Sequence, residues 1–386
     1  MIDKPIITGA PAPVVGVFTT VRLSSNDGLP NGKEARVLEE QITIAKQYGI
    51  TTFLFFGNGV NWPNRTIKGY TFISGKGKSG YWMRKIFPFP DVVYNRIRSR
   101  KIEKQSAIKQ LLERFEHDPN IELFNTRFLD KWEVYKVLAN NPLTSAMVPP
   151  TRLLSSVNLH HFLDTNSEVF IKPRNNNAGR GIIKVVRNTS NNYFYCLAES
   201  ASPQWKKCTS LNHLWNNLIT KVLNPGDYLI QTGIDLAKLE GRILDLRAQV
   251  QKDGNGQWVF TGVTVRVAAK NRFVTYDKYS APKSVSFAKV IAKVTGRDKA
   301  IKDSINSQLL DLYNYVPRVL EKELGLSLAV LSIDIGVDAN GRVWIIEVSS
   351  KSDSFDEDDI SARHFRYLME YFIYITRNRS GRIIIN

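Results

Sequence analysis

Two apolar runs near the carboxyl end, LAVLSIDIGV at 328–337 and RVWIIEVS at 342–349, each carry one acid where an apolar residue would be expected: Asp334 in the first and Glu347 in the second. The turn residues Asp338 to Gly341 join them, so the two runs read as adjacent strands of one sheet. A carboxylate inside a buried strand is costly unless it is paired or bound to a metal. One such acid on each of two neighbouring strands points to a divalent cation.

Far upstream, EVFIKPRNNNAGRGIIKVVR at 168–187 reads as a hairpin whose loop is built to touch something. Alternating β-formers lead into Lys172, a loop from Asn175 to Gly181 follows, and Ile182 to Val186 returns. Gly179 and Gly181 let the backbone approach a ligand closely, and Asn177 with its neighbours keeps the loop small and polar. Lys172 and Arg180 add positive charge beside exposed amides, a setting suited to phosphate. Alone, the stretch would pass for an ordinary Gly/Asn turn with charged flanks. Together with the downstream acids it forms the equipment for ATP chemistry: a basic phosphate-grasping loop and a two-carboxylate magnesium site of Asp334 and Glu347.

Lys-Pro before a Gly-rich loop, then Asp on one strand and Glu on the next, resembles the ATP-grasp fold. VVYNRI at 92–97, KPRNNNAGRGI at 172–182, IDLAKLEGRILDLRAQVQKDGNGQW at 234–258 and IDIGVDANGRVWIIEVSSK at 333–351 resemble the YheC/YheD group of ATP-grasp proteins, labelled endospore coat-associated. The likeness runs over nearly the whole chain and implies sporulation as a setting. The fold it implies is α/β, an N-terminal open α/β domain at 1–125 followed by a two-subdomain ATP-grasp fold. A small lid subdomain with the Gly-rich hairpin would occupy 126–226, and a large subdomain with the hinge and metal site 227–386. By resemblance, Lys131 on the helix NTRFLDKWEVYKVLAN reaches the ATP phosphates, and the hinge at Gln231, Gly233 and Ile234 holds the adenine. The resemblance also places Asp245 of the DLR on the nucleotide and Arg247 near phosphate or substrate. Two departures stand out. Where many members continue with Asn and a Gly-Gly loop, this chain has RFVTYDKYSAPKSV; where the metal pattern has Glu-x-Asn, it has Glu347-Val348-Ser349. Serine is a shorter neutral oxygen ligand, so one Mg²⁺ is expected and a second is left open.

Along the chain, short apolar runs at 13–17 and 51–56 flank a helical pattern ending at Gly49, which reads as the start of a parallel α/β layer. Arg96 falls at the carboxyl end of a third strand, where open sheets place ligand contacts. In WVFTGVTVRVAAK, Arg266 interrupts a β-branched run at a position suited to clamping a transferring phosphoryl group. The acid-led final helix, DDISARHFRYLMEYFIYITRNR, is expected on the large subdomain, with His364 structural.

The chain of 386 residues is long enough for two or three domains, and 43% apolar residues argue for a folded protein. No apolar run reaches the ~20 residues of a membrane helix, and the start does not read as a signal peptide. Two cysteines without metal spacing, Cys196 and Cys208, fit a reduced, cytoplasmic setting. The net charge of +17, dense over 83–105, is compatible with a solvated basic face, an acidic substrate or a polyanion. Nucleic acid is not expected, because charge is its sole support, and the oligomeric state is left open.

The function this implies is an ADP-forming carboxylate–amine ligase acting through an acyl phosphate, with Lys131, Lys172, Arg266 and Mg²⁺ neutralising charge. A peptide or protein carboxylate is the preferred acceptor, because a long basic face suits something larger than one amino acid. The alternative is a catalytically weak ATP-binding structural or coat-associated protein.

Overall fold

The computed structural model describes residues 12–75, 80–176, 179–199, 203–221, 224–275, 283–296, 298–351 and 357–382. Among them, the strands assemble into three six-stranded sheets and one short two-stranded ribbon.

The first sheet grows from parallel strands Val14–Thr19, Thr51–Asn61, Val92–Arg96 and Glu122–Phe124, with an antiparallel hairpin, Thr66–Ile73 and Tyr81–Pro88, added on the outer side of Thr51–Asn61. Its central strands are apolar on both faces, as a layer covered on both sides requires. Val15, Val17 and Leu54 face helix Lys33–Gln47, whereas Phe18, Phe53 and Phe55 face helix Ser106–Glu116. The second strand of the hairpin enters the basic stretch 83–105, and Arg84 and Lys85 are exposed on this edge strand.

The second sheet is antiparallel, in the order Lys206–Cys208, Tyr193–Leu197, Ile183–Arg187, Glu168–Pro173, Tyr228–Thr232, Thr151–Leu153. Helices Ser156–Thr165 and Leu211–Ile219 bury Leu159, Leu163, Leu214 and Leu218 against it. The expected boundary at 227 put Tyr228–Thr232 with the later residues; hydrogen bonding with Glu168–Pro173 puts it in this sheet.

The third sheet runs Lys283–Val285, Trp258–Val267, Arg242–Lys252, Val330–Val337, Val343–Ser349, with Lys238–Leu239 paired to the Arg242 strand. One face is apolar, with Leu244, Leu246, Ala248, Leu331 and Ile333 packed under helices Lys131–Asn140 and Lys299–Leu324. Leu129, Val134 and Leu138 lie in this core, so the Lys131 helix packs on the third sheet although the sequence reading grouped it with the lid. Alternation along a strand turns every second residue to the other face. That face carries Asp245, Arg247, Gln249 and Gln251.

The final helix, Asp358–Arg382, bridges two sheets. Leu368, Met369 and Phe372 enter the core of the first sheet beside Val15, Leu54 and Phe124. From the same helix, His364 meets Gln249 and Gln251 of the third sheet. The expectation that it packs on the large subdomain thus names one of its two neighbours. A second seam is formed by Asn125, whose backbone takes φ +51°. Its side chain donates to the carbonyls of Val330 and Ser350 and accepts from the amides of Ala329 and Val330. Asparagine tolerates this left-handed backbone, and its amide serves both strands at once.

Candidate active site

A cavity of about 390 Å³ lies where the three sheets meet. Its floor is the polar face of the third sheet, and the strand register explains its layout. Arg247 pairs with Asp334, Asp334 with Glu347, and Asp245 with Arg266, so two arginines and three acids fall in one cross-strand patch. A bulge between Asp334 and Ile335 shifts the register at that acid, and bulges re-aim side chains in this way.

Within the patch the charges are already matched. Arg247 grips Asp334 through two bonds, Nε to Oδ1 at 2.8 Å and Nη2 to Oδ2 at 3.0 Å. Arg266 grips Asp245 in the same forked manner, at 2.8 and 2.6 Å, and its Nη2 lies 3.0 Å from Asp334 Oδ2. Thr275 donates its hydroxyl to Asp245 at 2.5 Å. Burial pushes the Asp334 carboxyl up, but the guanidiniums of Arg247 and Arg266 outweigh it and hold the group well below the usual carboxylate range. Asp245 is pushed up, by burial first and by Asp334 in addition, against the pull of Arg266. Two acids sharing one arginine are thereby separated in proton affinity. The reading that Asp334 and Glu347 lie uncompensated until a cation arrives is corrected by this geometry: arginines answer Asp334, and Lys131 answers Glu347 at 3.0 Å.

Lys131 is aimed by the start of its helix. The Asp130 side chain caps the helix, accepting from the amides of Trp132 and Glu133, and also accepts from Arg174 just past the Lys172 strand. From there Lys131 Nζ reaches both Glu347 and the carbonyl of Asn176 in the Gly-rich loop. The helix, the loop and the Glu347 strand thus meet at one ammonium.

The opposite wall comes from the second sheet. Lys172 projects from Glu168–Pro173 and donates to Gln231 Oε1 at 2.6 Å, while the Gln231 amide donates to Thr151. Burial lowers the Lys172 ammonium to about 8, with Lys131 adding to the drop and Glu347 and Asp334 opposing it. Gly179 and Gly181 sit at φ +68° and +74°, and a Cβ on Gly181 would lie 2.7 Å from Pro173 Cγ, so this turn needs glycine there. Gly233 donates its amide to the Glu168 carbonyl, and a Cβ there would meet the Glu168 side chain at 2.7 Å.

Of the residues singled out in the sequence, Lys172, Gly179, Gln231, Ile234, Asp245, Arg247, Arg266, Asp334, Glu347 and Ser349 line the cavity. Lys131 joins them through Glu347. Gly181 and Gly233 shape the wall behind them, and Asn177 lies outside the described residues, as do 276–282 of the stretch that replaces the Gly-Gly loop. Ser349 accepts the Lys351 amide at 3.2 Å. Among the described residues no group of three or more His, Cys, Asp or Glu could hold a metal ion.

Three features escaped the sequence reading. Arg96, weighed as a ligand contact against plain surface charge, is buried and bonded to Glu34 at 2.9 Å; its neighbours Arg98 and Arg100 line the cavity instead. Lys351, just past the Glu347 strand, is buried with its ammonium on the carbonyls of Asn95 and Asn125 and 3.3 Å from Glu103. Phe170 and Phe273 form an aromatic side of the cavity, 6.2 Å between centroids. The available signals were the position of Arg98 and Arg100 just after a strand and the lysine of IEVSSK. His364 is buried among glutamines, and burial holds its imidazole at about 3, in keeping with a structural role.

Residues 120–375 match the family model described as YheC/D like ATP-grasp. The chain belongs to the YheC/D-like ATP-grasp family. It is similar to the endospore coat-associated protein YheD of Bacillus subtilis (strain 168), 28% identical over 347 residues, covering 88% of this chain and 72% of that protein. YheC of the same organism is 22% identical over 321 residues, 82% of this chain and 85% of the relative. Among solved structures, D-cycloserine synthetase DcsG superposes with a TM-score of 0.55 at 16% identity, covering 93% of this chain and 99% of that one. VanG D-Ala:D-Ser ligase from Enterococcus faecalis gives 0.52 at 12%, covering 95% and 99%. At these identities the likeness shows the ATP-grasp fold, a mixed α/β architecture. No helix among the described residues of this YheC/D-like chain is long and apolar enough to cross a membrane.

Proposed function

We propose that this YheC/D-like protein is an ATP-dependent, ADP-forming carboxylate–amine ligase, and that its chemistry runs in the cavity between the three sheets. The observation that carries the reading is the convergence of Lys172 from one wall on Arg247, Arg266, Asp334 and Glu347 from the other. The fold of ligases such as DcsG and VanG supports it. Lys172 and the Gly179–Gly181 backbone bind the phosphates, Gln231, Gly233 and Ile234 form the adenine end, and Asp245 lies beside the nucleotide.

The acceptor carboxylate attacks the γ-phosphorus; its bond to the β–γ bridging oxygen breaks and ADP leaves with the electron pair. A neutral amine then attacks the acyl carbon, the C–N bond forms, and phosphate departs with the amine proton. Lys172 and Arg266 neutralise the charge that spreads over the transferring group, and Arg247, fixed by its fork on Asp334, positions the attacking carboxylate. All are set before substrate arrives, so little reorganisation is required.

Magnesium takes one or two carboxylates beside phosphate and water. Glu347 faces Asp334 in register with Ser349 two residues on, and these residues would hold one such ion in place of the Lys131 and arginine pairings. Bound there with the nucleotide, it would supply charge neutralisation at the β- and γ-phosphates. A peptide or protein carboxylate as acceptor, and action in the cytoplasm where ATP is at hand, go with this reading.

Incubating the protein with ATP, Mg²⁺ and a small-molecule and peptide extract tests it, with ADP release and product masses as readouts. Expected is ADP formation together with products that have lost water relative to two extract components. ATP binding without ADP release in any extract would support the second reading, a nucleotide-binding coat protein, which the double claim of Arg247 and Arg266 on Asp334 favours.

A further inference from the structure

Among the described residues, the acids at the cavity are committed to partners within the chain. Asp334 belongs to Arg247 and Arg266, Asp245 to Arg266 and Thr275, and Glu347 to Lys131. Glu103 accepts from Asn95, the Phe128 amide and Lys351, and Asp130 caps its helix and holds Arg174. Two cations on the cavity wall are left out of this matching. Lys172 is bonded to the neutral Gln231. Arg100, reaching in from the short helix Arg100–Glu103 between two strands of the first sheet, makes no ion pair among the described residues.

Arg100 is nonetheless held firmly. Its Nη2 donates to the Leu129 carbonyl at 2.9 Å, and its guanidinium stacks 4.5 Å from the centroid of Phe128. Phe128 is itself fixed by its amide on Glu103, and Lys351 lies over the same ring at 5.7 Å. Stacked this way, the fork keeps donors for a planar anion. A half-buried guanidinium without a counter-charge is unfavourable, and the cost falls when a ligand supplies one. Burial pushes Arg100 down from its ordinary value, while Glu347, Glu103 and Asp130 pull it up from a distance.

We infer that Arg100, backed by Phe128, receives a second carboxylate of the acceptor, so that the molecule activated in this cavity is a dicarboxylate or a peptide that presents two acids. The inference rests on the ligase reading, in which Lys172 and Arg266 attend the transferring phosphoryl group and Arg247 the carboxylate that receives it. Arg100 stands apart from them, at the start of the short helix Arg100–Glu103 that follows the Val92–Arg96 strand. It is a binding residue that sets which acceptor is taken.

The test is calorimetry on protein saturated with Mg²⁺ and a non-hydrolysable ATP analogue, titrated with glutarate and, separately, with valerate, the monoacid of the same chain length. Glutarate should bind at least about tenfold more tightly. In Arg100→Gln, which keeps a donor for the Leu129 carbonyl, that preference should vanish through loss of glutarate affinity alone, and Arg100→Lys should restore part of it. Lys85→Ala, which removes one charge from the exposed edge strand, should keep the full preference. Equal binding of the two probes by wild type, or a preference that survives in Arg100→Gln, overturns the inference. So does loss of analogue binding in Arg100→Gln, which would assign Arg100 to the phosphates. Failure of the wild type to bind the analogue is a separate result and sinks the ATP reading itself.

Discussion

The two walls of the cavity solve the same electrostatic problem in opposite ways. On the third sheet, cations and acids are matched across strands before any ligand arrives: Arg247 and Arg266 on Asp334, Arg266 on Asp245. On the second sheet, Lys172 stands on a hairpin beside a Gly-rich turn, bonded to a neutral amide, with its ammonium lowered to about 8 by burial. A rigid, paired lattice suits the reacting centre, where position decides rate. An under-matched cation on a turn suits capture, because the incoming phosphate completes it. Stability should therefore reside on one wall and nucleotide affinity on the other.

The largest effect expected is at Asp334. Asp334→Asn removes the carboxylate that Arg247 and Arg266 share, leaving Asp245 to Arg266, and breaking a buried pair costs about 3–5 kcal/mol. The apo melting temperature should fall by roughly 10 °C, with turnover lost. The acid limb offers a second check. The folded Asp334 carboxyl lies below its unfolded value, so its contribution is present above about pH 4 and is lost as pH falls through the folded value. Acid unfolding followed by circular dichroism should accordingly be less steep in Asp334→Asn. A variant as stable as wild type would mean that the lattice is not structural.

Next in size, Lys172→Gln should leave the apo melting temperature within a few degrees of wild type while weakening nucleotide binding about tenfold to a hundredfold, as expected for charged hydrogen bonds to phosphate. The pH dependence has a definite sign. With a folded value near 8 and an ordinary value of 10.5, the unfolded chain binds more protons between those limits, so the Lys172 contribution to apo stability rises with pH there. Nucleotide affinity should fall over the same window as the ammonium is lost. In Lys172→Gln calorimetry should find that slope flattened, and an unchanged slope would assign it elsewhere.

Smaller effects should come from the turn and from the metal face. Gly181→Ala introduces a Cβ 2.7 Å from Pro173 Cγ at φ +74°, which should cost about 1 kcal/mol and reduce nucleotide affinity severalfold in the same titration. Ser349→Ala should lower turnover severalfold, whereas Ser349→Asn, longer by one atom and still an oxygen ligand, should preserve it. If the alanine variant turns over like wild type, Ser349 holds no ion.

Local signals made much of this architecture readable. The hairpin around Lys172, the acid-bearing strands Val330–Val337 and Val343–Ser349, and the Asp130-capped helix each advertise themselves within twenty residues. What was hidden depends on distant pairing. Arg247 and Asp334 are 87 positions apart, and nothing in either strand says that the arginine rather than a metal answers the acid. Tyr228–Thr232 reads equally well as the edge of either sheet until its partner Glu168–Pro173 is known. The final helix has apolar residues for two neighbours, and periodicity does not name them. The basic run at 83–105 concealed Arg100, because charge density is the same whether a guanidinium points to solvent or into a cavity.

The central claim is that Lys172 on one wall and Asp334, Glu347 and Ser349 on the other hold one Mg²⁺–ATP between them. Melting of wild-type protein with ATP and Mg²⁺, against ATP with EDTA, tests it most directly. A ligand at about a hundredfold excess over its Kd adds roughly 2.7 kcal/mol, so a rise of about 5 °C or more is expected with the metal and a much smaller one without it. An equal rise with and without metal would contradict the account.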